Sequence, residues 1–247
     1  MVAFSKKTKI NIMKRKNLRT SLALVGVMLI LSACSKDDAI GNGEVKYQVK
    51  PAGFTGTVAS SGISSGLIGI VGSSNTLSFT SGSVNVSEID FEAESKSVEI
   101  EYELKKFVNV DLFNLSPILG SINLPEGTYD EVELKLVLKK SINNVIPVTL
   151  KGTYRDANGV NTPVEFYFNE DFEIEVEAED VVINSNSDYI GLVNLQLNKL
   201  LLNIGSNDLS GATRTNGVIV ISSTSNANLY NKFKANLNAF GDCDFDD

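Results

Sequence analysis

The sequence predicts a mainly β protein: an antiparallel β-sandwich with one C-terminal amphipathic helix. Three observations carry this. From Thr76 to Ala178, apolar and polar residues alternate at the two-residue period of half-buried strands. Clusters of Gly, Pro, Asn and Asp punctuate those runs as turns do. Near the end, Leu229, Phe233, Leu237 and Phe240 recur at helical spacing and form one apolar stripe.

Taken in order, Val45, Tyr47 and Val49 alternate with Lys46, Gln48 and Lys50, a short strand that Pro51 closes. Residues 52–75 are rich in Gly and Ser around an apolar island, Leu67 to Val71, and read as a long loop with one poor strand. Leu77 and Phe79 alternate before Ser81-Gly82 turns the chain. Val84 and Val86 share a face, and Ile89, Phe91 and Ala93 come next in the opposite phase, as a β-bulge near Ser87-Glu88 would produce. Val98, Ile100, Tyr102 and Leu104 then face one way, with Glu99, Glu101 and Glu103 on the other side.

Val108, Val110 and Leu112 continue the alternation. In Leu124-Pro125-Glu126-Gly127, Pro and Gly suit a type I turn, which launches a strand with Val132, Leu134, Leu136 and Leu138 inward. Asp156-Ala157-Asn158-Gly159 reads as a four-residue hairpin loop, with Gly159 placed for positive φ. Pro147 and Pro163 flank that hairpin and predict that it lies at a sheet edge. Phe172, Ile174, Val176 and Ala178 point inward, with Glu173, Glu175, Glu177 and Glu179 outward. Residues 189–204 read as a strand to about Asn198 and then helical turns, and Val218 to Ile221 as a buried strand. The helix spans 226–240, with Asn226 or Asn228 as cap and Gly241 as its end.

The first 33 residues hold seven of the 22 basic residues and none of the 30 acidic ones. The rest of the chain is strongly acidic and repelled by nucleic acid, so no nucleic-acid partner is expected. The chain has no His, the commonest general base and transition-metal ligand.

Lys14-Arg15-Lys16 and Arg19 precede an apolar run, Leu22 to Leu31, which ends in Leu31-Ser32-Ala33-Cys34. Basic, apolar and small-residue segments in that order make a secretory signal. The run is too short to span a bilayer, which takes about 20 apolar residues. Met13 opens a better-proportioned signal than Met1 does. The cysteine at the cut resembles the lipobox of bacterial lipoproteins. That resemblance implies cleavage before Cys34, diacylation of its thiol and acylation of the new amine. It leaves Cys243 as the sole free thiol, without an intramolecular disulfide.

Ser35 in place of Asp after the cysteine is what outer-membrane lipoproteins usually show. Ser35-Lys36-Asp37-Asp38 also resembles the short export signal of bacteria that display lipoproteins on the cell surface. The expected organisation is a signal peptide (1–33), a flexible tether (34–44), a sandwich domain (45–241) and an acidic tail (242–247). The expected location is the outer membrane, lipid-anchored at Cys34, with the domain at the cell surface or otherwise facing the periplasm.

Two further resemblances concern the fold. Leu77-Ser-Phe79-Thr-Ser-Gly82, together with Glu88-Ile89-Asp-Phe91-Glu92-Ala-Glu94, resembles the opening strands of a group of bacterial lipoproteins with a domain of unknown function. Ser225-Asn226-Ala-Asn228-Leu229-Tyr230 fits the same group. Leu124-Pro-Glu-Gly127-Thr-Tyr129 resembles the turn-into-strand motif of prealbumin-like sandwiches. These imply a Greek-key, prealbumin-like arrangement and no activity.

No nucleophilic triad can be assembled without His, and no Walker or dinucleotide phosphate loop is present. Asp242-Cys243-Asp244-Phe245-Asp246 mimics the first ligands of a calcium loop but lacks the Gly that should come next. No catalytic residue, cofactor or metal is therefore expected, and the acidic ladders read as solvated faces next to bases such as Lys135, Lys139 or Lys151. The sequence points to a non-catalytic binding or assembly module with a protein or glycan ligand. The alternatives are a fimbria-like or adhesin subunit joined by strand addition and, further off, a carboxylate-based glycosidase.

Overall fold

A computed structural model describes residues 41–59, 75–96, 98–114, 118–142, 145–185, 187–239 and 241–246. In chain order its strands are β1 (Asn42–Ala52), β2 (Thr55–Thr57), β3 (Thr76–Val86), β4 (Glu88–Glu94), β5 (Glu99–Leu104), β6 (Val108–Asp111), β7 (Ile118–Pro125) and β8 (Gly127–Leu138). They continue with β9 (Val148–Arg155), β10 (Asn161–Phe168), β11 (Phe172–Ile183) and β12 (Asp188–Gln196), then a 3-10 turn at Leu197–Leu201 and helix α1 (Ser206–Ser210). Strands β13 (Arg214–Thr215) and β14 (Val218–Ile221), helix α2 (Ala227–Asn236), a 3-10 turn at Leu237–Ala239 and strand β15 (Gly241–Asp246) complete it.

The protein is mainly β. Sheet I has the order β15-β12-β1-β7 and sheet II the order β11-β8-β4-β5. Sheet III runs β13-β14-β10-β9-β3-β2, with β6 also paired to β3. Sheet II is antiparallel throughout. Sheets I and III are mixed, because β1 runs parallel to β12 and β10 parallel to β14.

Sheets I and II form the sandwich. The rings of Tyr47 and Phe91 meet at 5.4 Å across the gap, and β15 of sheet I packs on β11 of sheet II. The predicted inward set, Val132, Leu134, Leu136 and Leu138 with Phe172, Ile174, Val176 and Ala178, is buried as expected. Each such Val, Leu, Ile or Phe contributes about 1.5–3 kcal/mol by leaving water. The core continues without a break under sheet III, where the predicted stripe of α2 docks. Leu229, Phe233 and Leu237 are buried, and the Phe233 and Phe166 rings lie 5.1 Å apart. Tyr230 and Lys234 both bond Glu170, which fastens the helix to the link between β10 and β11.

Several expectations are corrected. The phase flip at Ser87 is a change of sheet: β3 pairs in sheet III and β4 in sheet II, while the Ser87 amide donates to Val137 O at 2.8 Å. Pro125-Glu126-Gly127 does the same between β7 of sheet I and β8 of sheet II, and the Tyr129 hydroxyl donates to Pro125 O across the corner. Ser81-Gly82 is no turn. Strand β3 runs through it with one register shift, and a Cβ on Gly82 would meet Leu150 and Thr149 O.

Pro51 lies inside β1. It sits where β12 still pairs but β7 has ended at Gln48, so no bond to β7 is lost there. The β9–β10 hairpin is central rather than at an edge. Pro163 is tolerated because β14 pairs β10 only over Val164 to Phe166. Its loop runs over five residues, with Gly159 at φ +81° and the Asp156 carboxylate accepting from the Asn158 and Val160 amides.

Asn42 to Glu44, expected to belong to the tether, are part of β1. The acidic tail is a strand: β15 runs antiparallel to β12, so Asp242 to Asp246 are extended and not wound as a calcium loop. Helix α2 begins beside Asn226 as expected, but the side chain does not cap it. Asn226 has φ +52° and instead binds the Thr213 backbone and Val220 O. Of the long Gly/Ser segment, Thr55–Thr57 pairs with β3, and its apolar island lies outside the described residues.

Position 236 separates two kinds of helix contact. The Asn236 amide is buried and donates to Leu200 O at 2.8 Å and Leu202 O at 2.6 Å. Phe233→Ala will cost about 3–5 kcal/mol by leaving a cavity. Asn236→Ala will cost about 1–3 kcal/mol by stranding carbonyls that the 3-10 turn exposes toward it. Urea denaturation of the two variants checks both values, and an unchanged midpoint for Asn236→Ala would show that water replaces the amide.

Candidate functional site

The predicted site residues Cys34, Ser35, Lys36, Asp37 and Asp38 lie outside the described residues. Among the described residues, no helix is long and apolar enough to cross a membrane. The chemistry that the structure does assemble is on the outer face of sheet II.

Strand alternation puts the apolar residues of β4, β5, β8 and β11 toward sheet I and their carboxylates away from it. The registers then line those carboxylates up. One cross-strand row is Glu179, Glu131, Glu94 and Glu99; the next is Glu177, Glu133, Glu92 and Glu101. A third runs Glu175, Lys135, Asp90 and Glu103. The two ladders legible in the sequence are thus on opposite edge strands of one sheet, and the strands between them carry acids of their own.

Lys135 is the base within the rows, 2.8 Å from Glu133 and 3.8 Å from Glu175. Lys139 pairs with Glu88 at 2.8 Å and Lys105 with Glu103 at 2.6 Å. Lys151, expected near a ladder, instead pairs with Glu165 in sheet III. Lys105–Glu103 is exposed and screened by solvent, whereas the Lys135–Glu133 and Lys139–Glu88 pairs are part-buried.

The imbalance shows in the acidities. Burial, and then the neighbouring Glu133 and Glu101, hold the Glu92 carboxyl above the usual carboxylate range. Burial, then Glu88 and Glu103, do the same to Asp90, and burial, then Glu133, to Glu175. Three groups bring one oxygen from each member within 4.8 Å of the others: Glu88, Asp90 and Glu103; Glu92, Glu99 and Glu101; Glu131, Glu133 and Glu177. These are the residues that could hold a cation, and hard oxygen donors of this kind suit calcium or an ammonium or guanidinium group. Above them lies an open depression of about 380 Å³, lined by Asp90, Glu92, Glu101, Glu103, Glu133 and Lys135 among others.

No protein-family model, curated protein or solved structure matches the chain.

The repulsion on this face can be measured. The folded-state pKa of Glu92 is raised, so its penalty is absent below the unfolded pKa and appears as pH rises through the folded one. Glu92→Gln will therefore raise Tm at pH 7, by an amount equivalent to roughly 0.2–1 kcal/mol per like-charged neighbour relieved. That gain will shrink on acidification and vanish below about pH 4, the ordinary carboxylate range. Added sodium chloride will narrow the gap at pH 7 by screening. Thermal melting of both forms between pH 3.5 and 8 checks this, and a gain independent of pH would assign the effect to packing.

Proposed function

We propose that the protein is a lipid-anchored surface or outer-membrane lipoprotein whose β-sandwich is a non-catalytic binding module for a cationic ligand. The observation that carries the binding part is the pair of uninterrupted four-carboxylate rows on the open face of sheet II. Like charges directly opposite one another are destabilising, so a face built this way gains most from a partner that supplies positive charge. The anchoring part rests on the lipobox-like Leu31-Ser32-Ala33-Cys34 and on the export-signal-like Ser35-Lys36-Asp37-Asp38. Two features support a non-catalytic role: the chain lacks His, and its clustered carboxylates lie on a sheet face rather than facing each other across a cleft. Assembly as a structural subunit is the second reading, favoured by the outer side of β5, which no strand pairs among the described residues.

Two outcomes test the anchor. Cys34→Ala will leave the domain folded and move it from the detergent phase to the aqueous phase, because several acyl chains, at about 0.8 kcal/mol per buried CH2, provide the attachment. Detergent partitioning checks it, and a variant that stays with detergent would overturn the lipobox assignment. Replacing Lys36, Asp37 and Asp38 by Ala will keep the protein membrane-bound but shield it from protease added to intact cells. Equal shaving of both forms would leave that motif without a role in display.

A further inference from the structure

Sheet II ends on β5 with a side that no other strand pairs among the described residues. Exposed edges are usually blunted by a bulge, a proline or brevity. The opposite edge, β11, is interrupted at Asp180, which has φ +56° and drops out of the pairing with β8. Strand β5 has none of these, and its one guard is charge: Glu99, Glu101 and Glu103 repel acidic strands but not basic ones. Its register with β4 is regular from Ile89↔Leu104 to Glu94↔Glu99, and it contains no proline.

The inner side of β5 is short of cover. Ile100 and Leu104 are only half-buried and Tyr102 is 46% exposed, although their pairing partners Ala93, Ile89 and Phe91 are fully buried. Beneath this edge, between it and the β7 edge of sheet I, is a small, partly open cavity of about 30 Å³. Tyr47, Phe91, Tyr102, Leu104, Gly120 and Ser121 are among its walls. Tyr47 is 4% exposed and its hydroxyl has no hydrogen-bond partner among the described residues. A Cβ placed on Gly120 would meet nothing within 4 Å, so the cavity is hollow on that side too. Such a hollow has room for a small side chain or a water molecule.

We propose that the β5 edge accepts an extended strand from a partner protein in which basic and apolar residues alternate. This rests on the binding-module reading and names its partner class. Backbone pairing to β5 would extend sheet II by one strand. Every second side chain would then cover Ile100, Tyr102 and Leu104, with one entering the cavity beside Tyr47. The intervening Lys or Arg side chains would continue the rows that end at Glu99, Glu101 and Glu103. The same charges disfavour a second copy of this chain as the occupant, because β5 against β5 adds further glutamate-on-glutamate pairs to a sheet already rich in them.

The test uses the full-length chain in detergent micelles and a fluorescent, end-blocked peptide, Ser-Lys-Val-Lys-Ala-Lys-Val-Lys. Saturable binding is expected, with amide-exchange protection confined to β5 and its neighbours. A scrambled peptide of the same composition will bind at least about tenfold more weakly, a difference of about 1.4 kcal/mol. Gly120→Ile, whose Cβ would meet nothing within 4 Å, occupies the cavity from the β7 side and will weaken the alternating peptide by a similar factor, with Tm as the check that the fold is kept. The triple variant Glu99→Lys, Glu101→Lys and Glu103→Lys will lose that peptide and gain one with Glu in place of each Lys. Equal binding of the scrambled peptide, no effect of Gly120→Ile, protection at β11 instead of β5, or no binding would each overturn the proposal. None of those results bears on anchoring, which detergent partitioning of Cys34→Ala decides separately.

Discussion

The structure depends on burying two apolar sheet faces against each other. The rings of Tyr47 and Phe91 meet between them, and the same core runs on to Phe166, Phe233 and the C-terminal helix. Because side chains alternate along a strand, a fully apolar inner face forces every intervening residue outward. In this acid-rich chain the outward residues of sheet II are mostly glutamates. The core and the carboxylate rows are two results of one pattern, and neither can be altered in register without the other.

That coupling explains why the acidic face survives its own repulsion. Slipping β8 or β4 by one residue would part the rows but would also turn Leu134 and Phe91 into water. Losing buried side chains of that size outweighs a like-charge term on the scale of cross-strand pairs. The face is therefore held in an unfavourable electrostatic state by packing on its far side, and Lys135 and Lys139 relieve it only locally.

The features legible in the sequence are those that the pleat alone determines. The inward sets of β8 and β11, the docked stripe of α2 and the positive φ of Gly159 could all be read in advance. Sheet membership could not. The phase flip at Ser87 is the same for a bulge and for a change of sheet, and the two differ only in which strand lies alongside. Prolines misled for a related reason: Pro51 and Pro163 are tolerated beside strands that stop short of them, which is a property of the neighbours. Strand β15 was hidden because its pairing with β12 uses backbone groups, which an Asp-rich segment has like any other. Asn236 was hidden because its partners, Leu200 O and Leu202 O, are themselves backbone. For the candidate site, each ladder was visible on its own strand. Their union in one sheet depended on β4 and β8, whose acids also alternate and whose position between the ladders no local pattern encodes.

The position of β1 has a mechanical consequence. It is the first described strand, and it lies inside sheet I, parallel to β12 and antiparallel to β7. A load applied at the amino-terminal end runs along β1 and meets hydrogen bonds on both flanks at once. Those bonds are strained together in shear, whereas an edge strand pulled sideways would release them one after another. A pull applied ahead of Asn42 would therefore load an interior strand of sheet I rather than one of its edges.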